Sequence, residues 1–228
     1  MDKINKHSLL LIVDMQEKYR KILPSNILNN IKLLINYFNK YNFQIAWTRY
    51  SRCLKMSYCT ETPEKTAISQ VLDYYNTNKK EKTEFSYGNK LWNLIPEAHP
   101  NPNRDNNHIF DSNQLNIWNN KYFTDFIHEK KIKNVVIVGG WASYCIISNI
   151  QLALNFNIVP ITVSDAIFDK NEKNLESSLL PIRRNSIYKS TYNLINENQK
   201  KNAQKNIKKN IKKSVSKSLP TKNTSTKN

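Results

Sequence analysis

Residues 134–145 read NVVIVGGWASYC. Val135–Val138 form an unbroken apolar, mostly β-branched run, the pattern of a strand buried on both faces of a sheet. The run stops at Gly139 and Gly140, two of only three glycines in the chain. Adjacent glycines at a strand end predict a tight turn and a close backbone approach. Five positions after the second glycine, Cys145 opens a stretch to Phe156 whose apolar residues recur at helical spacing. A cysteine at the mouth of a helix faces free N–H groups and the positive end of the helix dipole. That setting predicts a lowered thiol pKa and an oxyanion hole. The other reading is a free cysteine acting as a small core hydrophobe.

The same alternation extends outward in both directions. SLLLIV (8–13) is a second continuous apolar run, and NILNNIKLLINYFNKY (26–41) has helical spacing with Ser25 as its N-cap. FQIAW (43–47), HIF (108–110) and NIVPITVSDA (157–166) are the other expected strands. AISQVLDYY (67–75), WNNKYFTDFIHEKK (118–131) and 171–180 are the other expected helices, and a loop rich in Pro and Asn covers 96–107. Short apolar strands alternating with helices predict parallel β-α-β units and a sheet covered on both faces. Such sheets bind ligands beyond the carboxyl ends of their strands. Asp14, Asp111 and Cys145 all fall at such ends. Asp14 directly follows LLLIV, so a carboxylate stands where a buried strand stops. It is either a loop or capping residue or one whose buried charge has a use.

The 228 residues suffice for one domain with a full core, plus a tail. The formal charge is +17, and Asn198–Asn228 contributes ten lysines and no acid, so residues 1–197 carry 17 − 10 = +7. The expected division is a folded domain over 1–197 and a disordered, Lys/Asn-rich tail over 198–228, whose few large apolar residues cannot offset ordering entropy. The tail is either a solvated charge block or a contact for RNA or another polyanion through Lys200, Lys201, Lys205, Lys208, Lys209, Lys212, Lys213 and Lys217. Cysteines at 53, 59 and 145 make no disulfide framework, which predicts a reducing compartment. Cys53 and Cys59 lie in polar sequence and receive no role. No run is long enough for a membrane span, and no signal peptide is evident. An intracellular, cytoplasmic setting without membrane contact is expected, with a mitochondrial one also open.

LLLIVDMQ, GGWASYC and ITVSDA, in this order and spacing, resemble the isochorismatase-like cysteine hydrolases. GNKLWNLIPEA followed by NQLNIWNNKYFTDFI is most similar to the YcaC-like branch. The likeness covers about residues 5–195. It implies a Rossmann-like, three-layer α/β/α fold with a mostly parallel sheet, and an Asp-Lys-Cys triad. By this resemblance Cys145 would be the nucleophile, attacking an amide-like or related C–N substrate, and Asp14 the base. The backbone N–H groups of Ala142 and Cys145 would hold the oxyanion, with a cis peptide near Trp141–Ala142. Family members assemble into oligomers, so a homo-oligomer is expected. The family's third member, a lysine or arginine, stands seven residues before the Trp of its Asn-x-Trp segment; counting back from Trp118 reaches Asp111. An acid there, beside Asp14, would raise the thiol pKa rather than lower it. Lys82, in KTEFSYG, is the other candidate for the missing cation, against a solvated lysine in a charged run.

Trp47, Tyr50, Trp118, Trp141 and Tyr144 are the aromatic residues expected around the site, as pocket walls for a small planar substrate or as packing. The stretch after the second strand, WTRYSRCLKMSYC, lacks histidine, and the four histidines are dispersed. No metal site and no cofactor are expected. Two functions follow. One is a hydrolase using Cys145 and Asp14. The other is a catalytically silent protein of the same fold, serving as a binding or structural subunit and contacting RNA through its tail.

Overall fold

The computed structural model describes residues 4–51 and 90–200. The expected helix over 67–75 therefore lies outside the described residues, as do Cys53, Cys59 and Lys82. Lys200 is the last described residue of the tail, helical and exposed, and the other seven tail lysines named above lie outside. The chain divides into two units, Met1–Thr191 and Tyr192–Asn228. The second is described only over 192–200, which are helical.

The first unit is a six-stranded, all-parallel sheet with helices on both faces. In chain order the elements are β1 (Ser8–Val13), α1 (Ser25–Lys40), β2 (Gln44–Tyr50), β3 (Asn107–Ser112), α2 (Lys121–Glu129), β4 (Asn134–Gly140), α3 (Ile147–Asn155), β5 (Val159–Phe168), α4 (Glu172–Asn185) and β6 (Ile187–Lys189). The strands lie in the order β3-β2-β1-β4-β5-β6. The order reverses between β1 and β4, which pair from Ser8↔Asn134 to Val13↔Gly139. Every residue of β1 and β4 is buried, as their unbroken apolar runs require. Asp14 and the segment after Gly140 thus share the crevice where doubly wound sheets take their ligands.

Several expected boundaries move. β2 runs on through Thr48, Arg49 and Tyr50, because pairing with β3 and burial of Thr48 and Tyr50 carry the strand past its apolar run. β3 likewise extends to Asn107–Ser112, and β5 to Phe168. The helix predicted over 118–131 starts at Lys121, where the Asn120 side chain accepts from the N–H groups of Tyr122 and Phe123. Trp118 stays outside it. Ser25 is the first residue of α1 rather than its cap, which is Pro24. α4 continues to Asn185 through Pro181, and β6 had no signal in its three half-buried residues.

One core packs α2, α3 and α4 against the sheet face carrying Leu9, Leu11, Val13, Ala46, Val135 and Ile137. Cys145 belongs to this layer. Trp47 alternates to the other face, where its indole N–H donates to the Ala98 carbonyl at 2.6 Å. Among the described residues no helix is long and apolar enough to cross a membrane.

Candidate active site

Two glycines shape the site. Gly139 has φ +102°, and a Cβ there would sit 2.2 Å from the Val13 carbonyl oxygen on β1. A Cβ on Gly140 would lie 2.7 Å from the Phe168 ring on β5. Both neighbouring strands therefore close on β4 where it ends, and only glycine permits that. The chain then turns through Ala142–Ile146 as a single π-helical turn, in which the Ile146 N–H reaches back to the Trp141 carbonyl at 3.0 Å. The regular helix α3 begins two residues after Cys145. The cysteine expected at a helix mouth thus sits inside a wide turn leading into the helix. The cis peptide is Gly140–Trp141, one bond earlier than expected.

Asp14 ends β1 in the left-handed region, φ +50°, and is 6% exposed. Its N–H donates to Thr48 Oγ1 at 3.1 Å, and the Thr48 hydroxyl donates back to Asp14 Oδ1 at 2.6 Å. The Cys145 thiol donates to the same carboxylate. Burial outweighs these two bonds and lifts the Asp14 pKa from 3.8 to about 6. The loop behind it is fastened by Gln16, whose side-chain amide donates to the carbonyls of Trp92 (2.8 Å) and Tyr50 (3.1 Å) while its oxygen accepts from the Tyr50 N–H (3.0 Å). In the sequence Gln16 is visible only as the last residue of LLLIVDMQ, with no local signal of this role.

The thiol departs from expectation. Its pKa is pushed well above the ordinary value, first by burial, then by the Asp14 charge and its hydrogen bond, with Asp169 adding to the effect. One backbone N–H, that of Trp141, favours the thiolate. The sulfur of a buried cysteine beside carboxylates gains less from the turn's amides than it loses by desolvation. Above about pH 6 the resting pair is a neutral thiol beside the Asp14 carboxylate, not a thiolate.

Asp111 is engaged elsewhere. The register sets it opposite Arg49, whose guanidinium grips both its oxygens, Nε to Oδ1 at 2.6 Å and Nη2 to Oδ2 at 2.8 Å. Arg49 in turn stacks over the Trp92 ring at 3.8 Å. The carboxylates that raise the thiol pKa are Asp14 and Asp169, not the expected Asp14 and Asp111. Asp169 directly follows β5, is 6% exposed, and accepts the Ser143 N–H on Oδ2 and the Lys170 N–H on Oδ1, both at 2.6 Å. No sequence signal marked it beyond its place after the last long strand.

The aromatic set separates. Trp47 (0% exposed) and Trp118 (2% exposed) are core residues and present no surface to a ligand. Trp47 is pinned to Ala98, and Trp118 packs against Phe123 and Phe156 at 5.2 and 5.1 Å between ring centroids. Tyr50 is buried beside Gln16. Trp141 is half-buried and packs on Tyr19 at 5.4 Å, and Tyr144 is exposed. These last two flank the Ala142–Ile146 turn. Among the described residues no three His, Cys, Asp or Glu side chains converge as metal ligands would. A groove of about 490 Å³ lies between α1 and the segment from Glu97 to Arg104, away from Asp14 and Cys145.

The family model for the isochorismatase domain matches residues 8–186. Among solved structures the chain resembles an isochorismatase-like hydrolase from Alkaliphilus metalliredigens, at 16% identity over 83% of this chain and 98% of that one, with a TM-score of 0.66. It also resembles a cysteine hydrolase from Pseudomonas syringae pv. phaseolicola 1448A, at 13% identity over 86% and 95%, TM-score 0.70. A third is the MAR1 ribonuclease from Caenorhabditis elegans, at 18% identity over 85% and 82%, TM-score 0.56. At such identities the likeness is one of fold. A search of curated proteins found no match.

Proposed function

The chain belongs to the isochorismatase family of hydrolases, and on that footing we propose that it cleaves a small amide-like or related C–N substrate, with Cys145 as nucleophile and Asp14 as base. The observation that carries this reading is the hydrogen bond from the Cys145 thiol to a buried carboxyl whose pKa is about 6. Above that pH Asp14 is a carboxylate able to take the thiol proton as sulfur attacks the carbonyl carbon, so no standing thiolate is needed. The tetrahedral oxyanion is held by the amides of Ala142 and Cys145. In support, the neighbouring amides are already used: Ser143 on Asp169, Tyr144 and Ile146 on the Trp141 carbonyl. The C–N bond breaks as the Asp14 carboxyl returns its proton to the leaving nitrogen. Asp14 then draws a proton from water, whose oxygen attacks the thioester and releases the acid and the thiol.

In this scheme Asp111 touches neither thiol nor substrate. It anchors Arg49, so the third position holds the acid half of an ion pair rather than a cation. A neutral thiol assisted by a carboxylate suits such a site better than ion-pair chemistry. The test is ammonia release from a panel of small primary amides and ureido compounds by wild type, Cys145→Ser and Asp14→Asn. Release by wild type that is lost in both variants is expected. Release that persists in Cys145→Ser would overturn the assignment.

A second reading, polyanion contact, draws on the ten lysines without an acid in 198–228 and on a fold neighbour named as a ribonuclease. Its test is RNA binding across a salt series with and without residues 201–228. Loss of a salt-steep component on truncation is expected, and unchanged binding would end it.

A further inference from the structure

We propose that Asp169 is a positioning residue for the nucleophile turn, a cap supplied from the neighbouring strand that fixes how the 142–146 turn presents its cysteine; this rests on Cys145 being the nucleophile. The first amides of any helical turn need acceptors from outside it. Here the local cap position is Trp141, whose side chain accepts no such bond. The acceptor comes instead from 26 residues downstream: Asp169 Oδ2 takes the Ser143 N–H at 2.6 Å. The carboxylate is itself held, because its other oxygen accepts the Lys170 N–H at 2.6 Å and it is 6% exposed. β5 is rigid at this point, since its last residue, Phe168, pairs with Gly140 and its ring fills the space a side chain on Gly140 would occupy. The end of β5 thus grips the turn twice, once through ring packing and once through the carboxylate.

The arrangement has an electrostatic cost that a purely structural cap would avoid. A carboxylate this near Cys145 disfavours the thiolate. That cost is tolerable only if the thiol reacts through Asp14 as base rather than as a free thiolate. Asp169 therefore carries two separable effects, geometry through its oxygens and field through its charge.

The two can be parted with iodoacetamide, following alkylation of Cys145 by peptide mass spectrometry from pH 5 to 10. Wild type, Asp169→Asn, Asp169→Ala and Asp14→Asn are compared, with unfolding midpoints recorded for each. Asn keeps an acceptor for the Ser143 N–H and removes the charge. Its neutral-pH rate should stay near wild type while its alkaline, thiolate limb moves to lower pH. Ala removes both, and its neutral-pH rate should fall at least about fivefold, the scale of a lost cap. An alkaline limb that does not move in Asp169→Asn overturns the proposal, and so does a folded Asp169→Ala with an unchanged neutral rate. If Asp169→Ala fails to fold, Asp169→Val, which also lacks an acceptor but leaves less empty space, takes its place with the same fall expected and the same result overturning the proposal. Asp14→Asn keeps the two ideas apart: an unchanged neutral rate there removes Asp14 as base, whatever Asp169 does.

Discussion

Replacing Asp14 with Asn should make the protein more stable above about pH 6 and leave it unchanged in acid. Burial holds the folded-state pKa at about 6 against an ordinary 3.8. The folded state therefore binds this proton more tightly than the unfolded chain does, and stability falls as pH rises through the interval. Below about 3.8 both states carry the neutral acid and no penalty exists. Above about 6 both are ionised and the full penalty applies. A gap of about 2.2 pH units at ~1.36 kcal/mol each amounts to roughly 3 kcal/mol, an upper figure since the site can relax. Asn is the apt replacement: it tolerates the φ of +50° and can still accept from Thr48. Urea unfolding of wild type and Asp14→Asn at pH 4, 5, 6, 7 and 8 measures the difference. The variant should gain up to about 3 kcal/mol at pH 7–8, with the gain vanishing toward pH 4. A variant equal to or weaker than wild type at pH 8, or a gap that ignores pH, would show that Asp14 is not a buried, destabilised acid.

Other expectations follow from the same contacts. Gly139→Ala should cost at least about 3 kcal/mol in chemical unfolding, because its Cβ meets Val13 backbone at 2.2 Å and cannot be relieved by a rotamer change. Asp111→Lys, which puts a cation at the position that the resemblance gives to a lysine, should not raise Cys145 reactivity; it should destabilise by about 3–5 kcal/mol by setting a second cation against Arg49. A reactivity gain in that variant would show that the third position does act on the thiol. Trp118→Ala should lose about 3–5 kcal/mol of stability, as a core truncation does, and equal stability would return Trp118 to the list of pocket walls.

The fold was largely legible because its signal is one of pattern: unbroken apolar runs at 8–13 and 135–138 can only be strands buried on both faces, and the helical spacing between them forces parallel crossovers. Asp14 and Cys145 were legible for the same reason, as polar residues at the ends of those runs. What escaped was everything decided across strands. Nothing local shows that Arg49 stands opposite Asp111, so an acid that is one half of an ion pair read as a charge on the thiol. Asp169 is 26 residues beyond Ser143 and meets its N–H only because β5 pairs with β4. The thiol's raised pKa was missed because a turn's amides are visible in the sequence, whereas the depth of burial is not. Trp47 gives no local sign of facing inward, since an aromatic near a strand end suits a pocket wall and a core alike, whereas the packing reading of Trp118 agrees with its burial.

The most direct test of the central claim, that Cys145 gives its proton to Asp14, is the pH profile of Cys145 alkylation in wild type and Asp14→Asn. Wild type should show reactivity rising through about pH 6, with Asp14, and then a separate alkaline limb for the thiolate. Asp14→Asn should lose the first rise and keep only the second. A single profile shared by both proteins would contradict the account.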